Sequence, residues 1–393
     1  MIVIGLISGT SYDAIEAAGA DFASDGEELL MKPLGEISVP YSSATRRAIH
    51  DAMPPGRVGV DVVCELDTII GQEFAAVAEQ AQSDLCGGKA ELVSSHGQTL
   101  FHWVEDGAAR GSLQLGQSAW IASATGLPVV ANLRLADIAA GGQGAPLAST
   151  LDHLLLGEAG PRRAALNLGG IANVTIVGNG MAPVAYDTGP ANALIDAAVW
   201  YFSEGQESFD RDGIRAGRGR VDSALLDTLL AEPYYAAAPP KSTGKELFNL
   251  TYLRAILGTV PKVEPDDVLA TLTMLSARTV GSQLVDAGVS EAITSGGGTK
   301  NQVLMEMLRS ESPGITMRTI DEFGLPSGGK EAYVFALLGW LTWHGVPGTV
   351  PSCTGAGAPS ILGNIAPGRA PLRLPTPLER GPRRLRILGA AKQ

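Results

Sequence analysis

A chain of 393 residues is too long to fold around one small core, so two domains are the expectation. Apolar content of 45% with only 5% aromatic residues fits a soluble α/β protein, while a formal charge of −12 argues against a general nucleic-acid or anionic-membrane binder. The three cysteines, Cys64, Cys86 and Cys353, are odd in number and far apart, so neither a disulfide framework nor a zinc spacing is visible.

The start, Met1 to Ile4, lacks the basic stretch of a signal peptide. No uncharged apolar run reaches the roughly 18 residues of a membrane span, and the cytoplasm is the expected location. Ile2 to Ile7 reads as a buried strand, Ser8 to Asp13 as turn chemistry and Ala14 to Asp21 as a returning strand, which makes a hairpin. Backbone N–H groups in such a turn can converge on an anion, with the Thr10 and Ser11 hydroxyls as further donors. Asp13 and Glu16 repel a bare phosphate but can orient the waters of a Mg²⁺ riding on one. The alternative is an ordinary polar hairpin.

Helical spacing follows in Thr45 to Met53 and Asp61 to Leu85, the second with Val62, Leu66, Ile69, Ile70, Phe74 and Val77 on one side. Glu91 to Ser95 predicts a short strand ending in the polar loop His96-Gly97-Gln98-Thr99, a place where α/β sites collect, although His96 also suits a structural role. Ser118 to Thr125 predicts a helix and Pro128 to Leu133 a strand. Arg134 then leads into Gly141-Gly142-Gln143-Gly144-Ala145-Pro146, either a close backbone approach to a ligand or a mobile loop.

Arg163 to Val177 repeats the opening plan, with Ala164 to Leu168 as one strand, Gly169-Gly170 as the turn and Ile171 to Val177, which holds Asn173, as the return. Two such hairpins suggest two halves of similar plan. Val184 to Asn192 puts Asp187 at a strand end before a Gly-Pro turn and the helix Ala193 to Phe202; that acid either caps the helix region or projects into a cleft. Phe209 to Gly213 resembles the start of a calcium loop but lacks the later ligands, and is expected to be a turn. Helices then dominate, over Val221 to Leu230, Leu250 to Leu257 and Asp266 to Ala287, with Pro239 to Asn249 as an exposed connector open to ligand contacts.

Ala292 to Ser295 predicts a strand, and Gly296-Gly297-Gly298 leads through Asn301 into a helix reaching Leu308, which lets a flat or anionic group lie against backbone. Gly324 to Glu331 nearly spells a P-loop, but Glu331 occupies the hydroxyl position and the motif is rejected. Glu331 opens an apolar helix to Trp343, and from Pro367 Pro and Arg dominate, as in a solvated tail. The expected division is an N-terminal lobe over 1–132, completed in part by C-terminal residues, a second lobe over 133–366 and a tail over 367–393.

Taken together, Ser8 to Asp13, Ser95 to Thr99, Gly141 to Leu147, Asn167 to Asn173, Asp187-Thr188-Gly189-Pro190, Phe248-Asn249-Leu250, Ala270 to Thr273 and Gly296 to Gly298 resemble the anhydro-N-acetylmuramic acid kinase family. The resemblance runs from Gly5 to about Pro367. It implies a two-lobed actin-like (ribonuclease H-like) ATPase fold closing on ATP and Mg²⁺, a small-molecule sugar substrate and a homodimer.

By the same resemblance Asp187 is the general base, which takes a proton from water while the 1,6-anhydro bridge of the sugar opens and the freed oxygen is phosphorylated. Nucleotide contacts fall on Gly9, Thr10, Ser11, Tyr12, Asp13, Ala14, Ile15, Glu16, Asn167, Gly169, Gly170, Asn173, Gly296, Gly297, Gly298 and Asn301. Sugar contacts fall on His96, Gln98, Arg134 and Glu331, with no metal ligand assigned. Ala14, Glu16, Asn132 and Ala191 depart from the family's usual Gly, Asp, Asp and Gly. A positive φ at position 14 would cost about 1 kcal/mol or more for alanine. Two other functions stay open on the sequence alone, a non-catalytic nucleotide sensor and a kinase for an ordinary hexose.

Overall fold

The computed structural model describes residues 1–9, 11–157, 159–239 and 241–389. It divides into two compact units, Met1–Gly157 with Phe323–Gln393, and Glu158–Glu322. The expected break at 132 is not where this division falls. Residues 133–157 and 323–366 pack with the first unit, as does the stretch read as a tail.

In the first unit, the β-branched opening run forms β1 (Ile2–Ser8), in which Val3, Ile4 and Leu6 are fully buried. A strand covered on both faces reads as a continuous apolar run, which is why no alternation is visible there. β1 pairs antiparallel with β2 (Ala14–Asp25), which pairs antiparallel with β3 (Glu28–Pro40). On its other side β1 runs parallel to β4 (Leu92–Glu105), and β4 parallel to β6 (Val129–Ala131); β5 (Ala108–Leu115) hangs on β4. Helices α1 (Ser43–Ala52), α2 (Val60–Asp84), α3 (Ser118–Thr125), α4 (Leu135–Ala139) and α5 (Ser149–Leu156) belong to this unit, along with α11 (Lys330–Trp343).

The nearly all-apolar α11 lies on β1, β2 and β4 and is buried from Ala332 to Thr342. Gly5 makes that packing possible, because a Cβ there would overlap the Ala332 carbonyl oxygen.

Several expectations change here. On α2, Leu66, Ile70, Phe74 and Val77 are buried as predicted, but Ile69 is 41% exposed, since each residue turns about 100° and position 69 falls off the stripe. The loop expected at His96 is strand: β4 continues through it, with Gly97 at φ +75 absorbing the local irregularity and Gln98 pairing with Leu115 of β5. The Gly-rich stretch after Arg134 begins with α4 and is pinned rather than mobile. Buried Asp137 accepts bonds there from the Gly144 N–H and the Thr354 hydroxyl, each at 2.7 Å.

The tail is not wholly solvated. β13 (Arg384–Ile387) adds parallel to β3, and just ahead of the tail β12 (Asn364–Ala366) pairs with β6. Leu385 is buried while Arg386 meets Glu28 at 2.9 Å, a period-two pattern that the Pro and Arg content masks.

The second unit holds β7 (Arg163–Leu168), β8 (Ile171–Gly178), β9 (Met181–Pro190), β10 (Glu291–Ser295) and β11 (Thr316–Thr319), in the order β11-β10-β7-β8-β9. Its helices are α6 (Ala193–Phe202), α7 (Ser223–Leu230), α8 (Leu250–Leu257), α9 (Pro265–Asp286) and α10 (Gln302–Glu311). β7-β8 and β8-β9 are antiparallel, whereas β7-β10 and β10-β11 are parallel. The first unit's β3-β2-β1-β4-β6 has the same order and the same senses. Both units therefore carry the five-strand ribonuclease H-like plan, and the similarity suggested by two Gly-turn hairpins is a duplication of topology. Among the described residues no helix is long and apolar enough to cross a membrane.

Candidate functional site

In the first unit the β1-β2 turn is held by its neighbours. Ser8 Oγ donates to Gln98 Oε1 at 2.6 Å, and Gln98 Nε2 donates to the carbonyls of Gly9 at 3.3 Å and Thr99 at 3.1 Å. Gln98, expected to touch the sugar, is fully buried and engaged in fixing this turn. Asp13 Oδ1 accepts from Ser11 Oγ at 2.7 Å and from the Ala14 N–H at 3.1 Å, so this carboxylate holds the loop together from within.

The left-handed residue of the turn is Tyr12, at φ 42, not Ala14. The penalty expected for alanine at position 14 therefore does not arise. Ile15 is 1% exposed and anchors the turn in the core, while Gly9 has open space where a Cβ would stand. Thr10 lies outside the described residues.

Glu16 is pushed up to about 7, first by burial and then by the carboxylates of Glu331, Asp13 and Glu36. This is a concentration of negative charge that a cation would relieve. Close by in the chain's topology, His96 is 4% exposed and its ring packs against that of Phe335, centroids 4.6 Å apart and planes tilted by 41°. Arg134 Nε donates to His96 Nε2 at 2.8 Å, so Nε2 must carry the lone pair and Nδ1 the proton, which it gives to the Gly97 carbonyl at 3.0 Å.

Burial and the Arg134 charge hold His96 down to about 3, which fixes it as a neutral acceptor. Arg134 Nη1 donates in turn to the Gly144 carbonyl at 2.7 Å. The Glu331 carboxyl is raised by desolvation and lowered by Arg134 and Lys330. Arg134 is thus an oriented guanidinium that feels the charge of Glu331, and the Gly-rich loop serves to aim it. His96 is the residue that aims it from the sheet.

In the second unit the register places functional candidates in one row. Ser295 pairs with Asn167 across β10-β7, Asn167 with Asn173 across β7-β8, and Asn173 with Asp187 across β8-β9. Directly paired residues share a face, and adjacent strands lie about 4.8 Å apart, so Asn167 and Asp187 stand about 10 Å apart on one side of the sheet.

At the end of this row the Gly169 and Gly170 carbonyls accept from the N–H groups of Ala191, Asn192 and Ala193. Asn192 Nδ2 also donates to Gly169 O at 2.8 Å. The Gly169 and Gly170 N–H groups themselves have no acceptor among the described residues, which leaves two donors free at the turn.

The three glycines after β10 divide by role. A Cβ on Gly296, at φ +87, would come within 2.6 Å of Asn167 Oδ1, and one on Gly298 within 2.8 Å of Leu168 Cβ. Both are therefore required for the close packing of this loop on β7. Gly297 is exposed with nothing near its Cβ position, and is the open surface of the loop. Asn301 caps α10 through the Leu304 N–H at 3.0 Å and is 6% exposed, a structural duty the sequence reading did not assign.

Asp187 lies within β9, not at its end, immediately before a register shift that leaves Thr188 as the extra residue. Its Oδ2 accepts from Ser242 Oγ at 2.9 Å and from the Thr243 N–H at 3.0 Å, while no described residue donates to Oδ1. Burial raises its carboxyl above the ordinary aspartate range, and the bonds from Thr243 and Ser242 oppose that rise. The Asp187 backbone is tied as well, through Tyr234 Oη to its carbonyl at 2.8 Å and its N–H to Lys241 O at 3.1 Å.

Ser242, Thr243 and Tyr234 lie outside the residues that the sequence motifs point to. The signal available was the hydroxyl-rich Lys241-Ser242-Thr243-Gly244 within the exposed connector. Among the described residues no group of three or more His, Cys, Asp or Glu is arranged to hold a metal ion directly.

Comparisons with known proteins identify the family. A family model described as anhydro-N-acetylmuramic acid kinase matches residues 1–368. A protein of that name from Streptomyces coelicolor is 58% identical over 389 residues, covering 99% of this chain and 100% of its own. Others from Streptomyces avermitilis and Rhodococcus erythropolis are 55% and 52% identical, each across 98% of this chain and 99% of theirs. The chain belongs to the anhydro-N-acetylmuramic acid kinase family and is a sugar kinase.

Proposed function

We propose that the enzyme uses ATP and water to convert 1,6-anhydro-N-acetylmuramic acid to N-acetylmuramic acid 6-phosphate, a step of cell-wall amino sugar recycling, with Asp187 as general base. The observation that carries this reading is the carboxylate of Asp187. One oxygen is held by two donors and the other is free, in register with Asn173 and Asn167 beside a turn with two unsatisfied N–H groups.

Water attacks an anomeric carbon poorly, so Asp187 Oδ1 takes its proton as the new C–O bond forms and the bond to the bridge oxygen breaks. The bridge oxygen leaves with the electron pair and, still attached to C6, attacks the γ-phosphorus, releasing ADP. The proton on Asp187 passes to solvent. The raised carboxyl of Asp187 makes it a stronger base than an ordinary aspartate while it is ionised.

The turns at Gly9 and Ser11 and at Gly169 and Gly170 supply phosphate donors, and the open face at Gly297 accommodates the nucleoside. Arg134, aimed by His96 and Gly144, and Glu331 bind sugar hydroxyl and carbonyl groups. The charge around Glu16 fits Mg²⁺ held through water and phosphate oxygens, with Asp13 and Glu16 orienting that water; the ion would neutralise developing phosphate charge. Free Cys86 and Cys353, both buried, suit a cytoplasmic enzyme. In the same reading the enzyme is a homodimer.

The test is ADP formation measured with and without the anhydro sugar. Turnover that depends on the anhydro sugar and ignores glucose-type sugars is expected. Equal ATP consumption without sugar, or preference for an ordinary hexose, overturns the proposal. Tight ATP binding with no product would instead mark a nucleotide sensor.

A further inference from the structure

The connector 241–249 runs past β9 and is fastened to it at several points. Lys241 Nζ donates to the carbonyls of Tyr234 at 3.3 Å and Tyr235 at 3.2 Å, and lies 4.9 Å over the Tyr234 ring. The next two residues reach Asp187, both at the same oxygen: Ser242 Oγ at 2.9 Å and the Thr243 N–H at 3.0 Å. Two donors on one oxygen define the plane and rotation of the carboxylate, and they leave the lone pairs of Oδ1 for an incoming water. A Cβ on Gly170 would stand 3.6 Å from Lys245 Cε, so the same connector also touches the glycine turn.

We propose that Ser242 is a positioning residue for the base, which together with the Thr243 N–H fixes Asp187 Oδ2 so that Oδ1 faces the nucleophilic water. This rests on the reading of Asp187 as the base and adds to it a pair of donors outside the strand that carries the acid. The carboxylate meets Ser242 and Thr243 directly, with Glu246 acting on it through its charge and Asn173 opposite on β8, while the Tyr234 phenol and the Lys241 carbonyl bond the Asp187 backbone.

Ser242 stabilises the ionised form, so its removal lets burial and Glu246 raise the carboxyl further. A purely structural serine would leave the titration of the rate unmoved. It is exposed, and its loss is not expected to unfold the unit.

The experiment compares Ser242→Ala, Ser242→Thr and Asp187→Asn in the full-length enzyme, by steady-state kinetics from acid to alkaline pH and by thermal melting. Ser242→Ala is expected to lower kcat about tenfold at neutral pH, the effect of losing one hydrogen bond to a charged group. KM should stay within about twofold, the acid limb of kcat/KM should move to higher pH, and Ser242→Thr should restore both limb and rate. An unmoved acid limb in Ser242→Ala, while Asp187→Asn is inactive, overturns the positioning role and leaves the base intact. Activity retained in Asp187→Asn would instead remove the base reading itself.

Discussion

Asn173 and Asp187 face one another across the β8-β9 ladder, beside a register shift that leaves Thr188, the next residue of β9, without a pairing partner. A bulge of this kind bends its strand and leaves the extra residue unpaired. Thr188 is 1% exposed while Asp187 is only half-buried, as the alternation of a strand requires, and the pairing puts the acid on the face that carries Asn167 and Asn173. The connector then closes on Asp187 from the outside through Ser242 and Thr243. The acid is held by a strand, a bulge and a loop, each with a local physical cause.

Replacement of Asp187 by Asn keeps the shape and can keep the connector's bonds, but removes proton acceptance. We expect kcat to fall by about a thousandfold or more, with ATP affinity by calorimetry within about threefold. In the wild type the rate is lost as pH falls through the Asp187 pKa. Because burial raises that pKa, the acid limb of kcat/KM lies above the ordinary aspartate value of 3.8.

Glu16 makes an opposite statement about stability. Its folded pKa, about 7, stands above the ordinary 4.5, so its favourable contribution is fully present below pH 4.5 and is lost as pH rises through 7. Glu16→Gln is therefore expected to stabilise the nucleotide-free protein at pH 8 by about 1 to 2 kcal/mol after allowance for partial exposure, and to do little at pH 4. Melting curves at the two pH values check this, with a rise of about 3 °C at pH 8 only.

His96→Phe retains the ring against Phe335 but deletes the acceptor for Arg134 Nε. A half-buried guanidinium left with an unpaired N–H costs about 1–3 kcal/mol. The expected kinetic result is a rise of about fivefold to tenfold in KM for the sugar, with kcat nearly unchanged, since Arg134 acts in binding. The wild-type His96, held at about 3 against an ordinary 6.5, contributes stability that is present above pH 6.5 and lost as pH falls towards 3.

Deleting residues from 383 onward removes β13, buried Leu385 and the Arg386–Glu28 pair, and bares the edge of β3. A loss of about 2–4 kcal/mol in denaturant unfolding and concentration-dependent aggregation are expected, with the activity per folded molecule retained.

Much of this architecture was legible in the sequence because its signals are local. The β1-β2 and β7-β8 hairpins announce themselves through apolar runs and Gly turns, and Asp187 through its Gly-Pro neighbourhood. What escaped depends on pairing between distant segments. β4 passes straight through His96 and Gly97 because β5, a later segment, offers it a partner. The C-terminal strand exists because β3 has a free edge. The expected sugar contacts His96 and Gln98 are both buried and act on their neighbours, Arg134 and the Gly9 turn. Ser242 and Thr243 are visible as turn residues only, since nothing local to them shows that Asp187, fifty-odd positions earlier, is their acceptor.

The most direct test of the mechanism is the fate of oxygen in a single reaction run in ¹⁸O-labelled water and read by mass spectrometry of the sugar phosphate. If Asp187 directs water to the anomeric carbon and the bridge oxygen accepts the phosphoryl group, one heavy oxygen appears at the anomeric hydroxyl and none in the phosphate. Label in the phosphate, or an unlabelled sugar, would contradict the account.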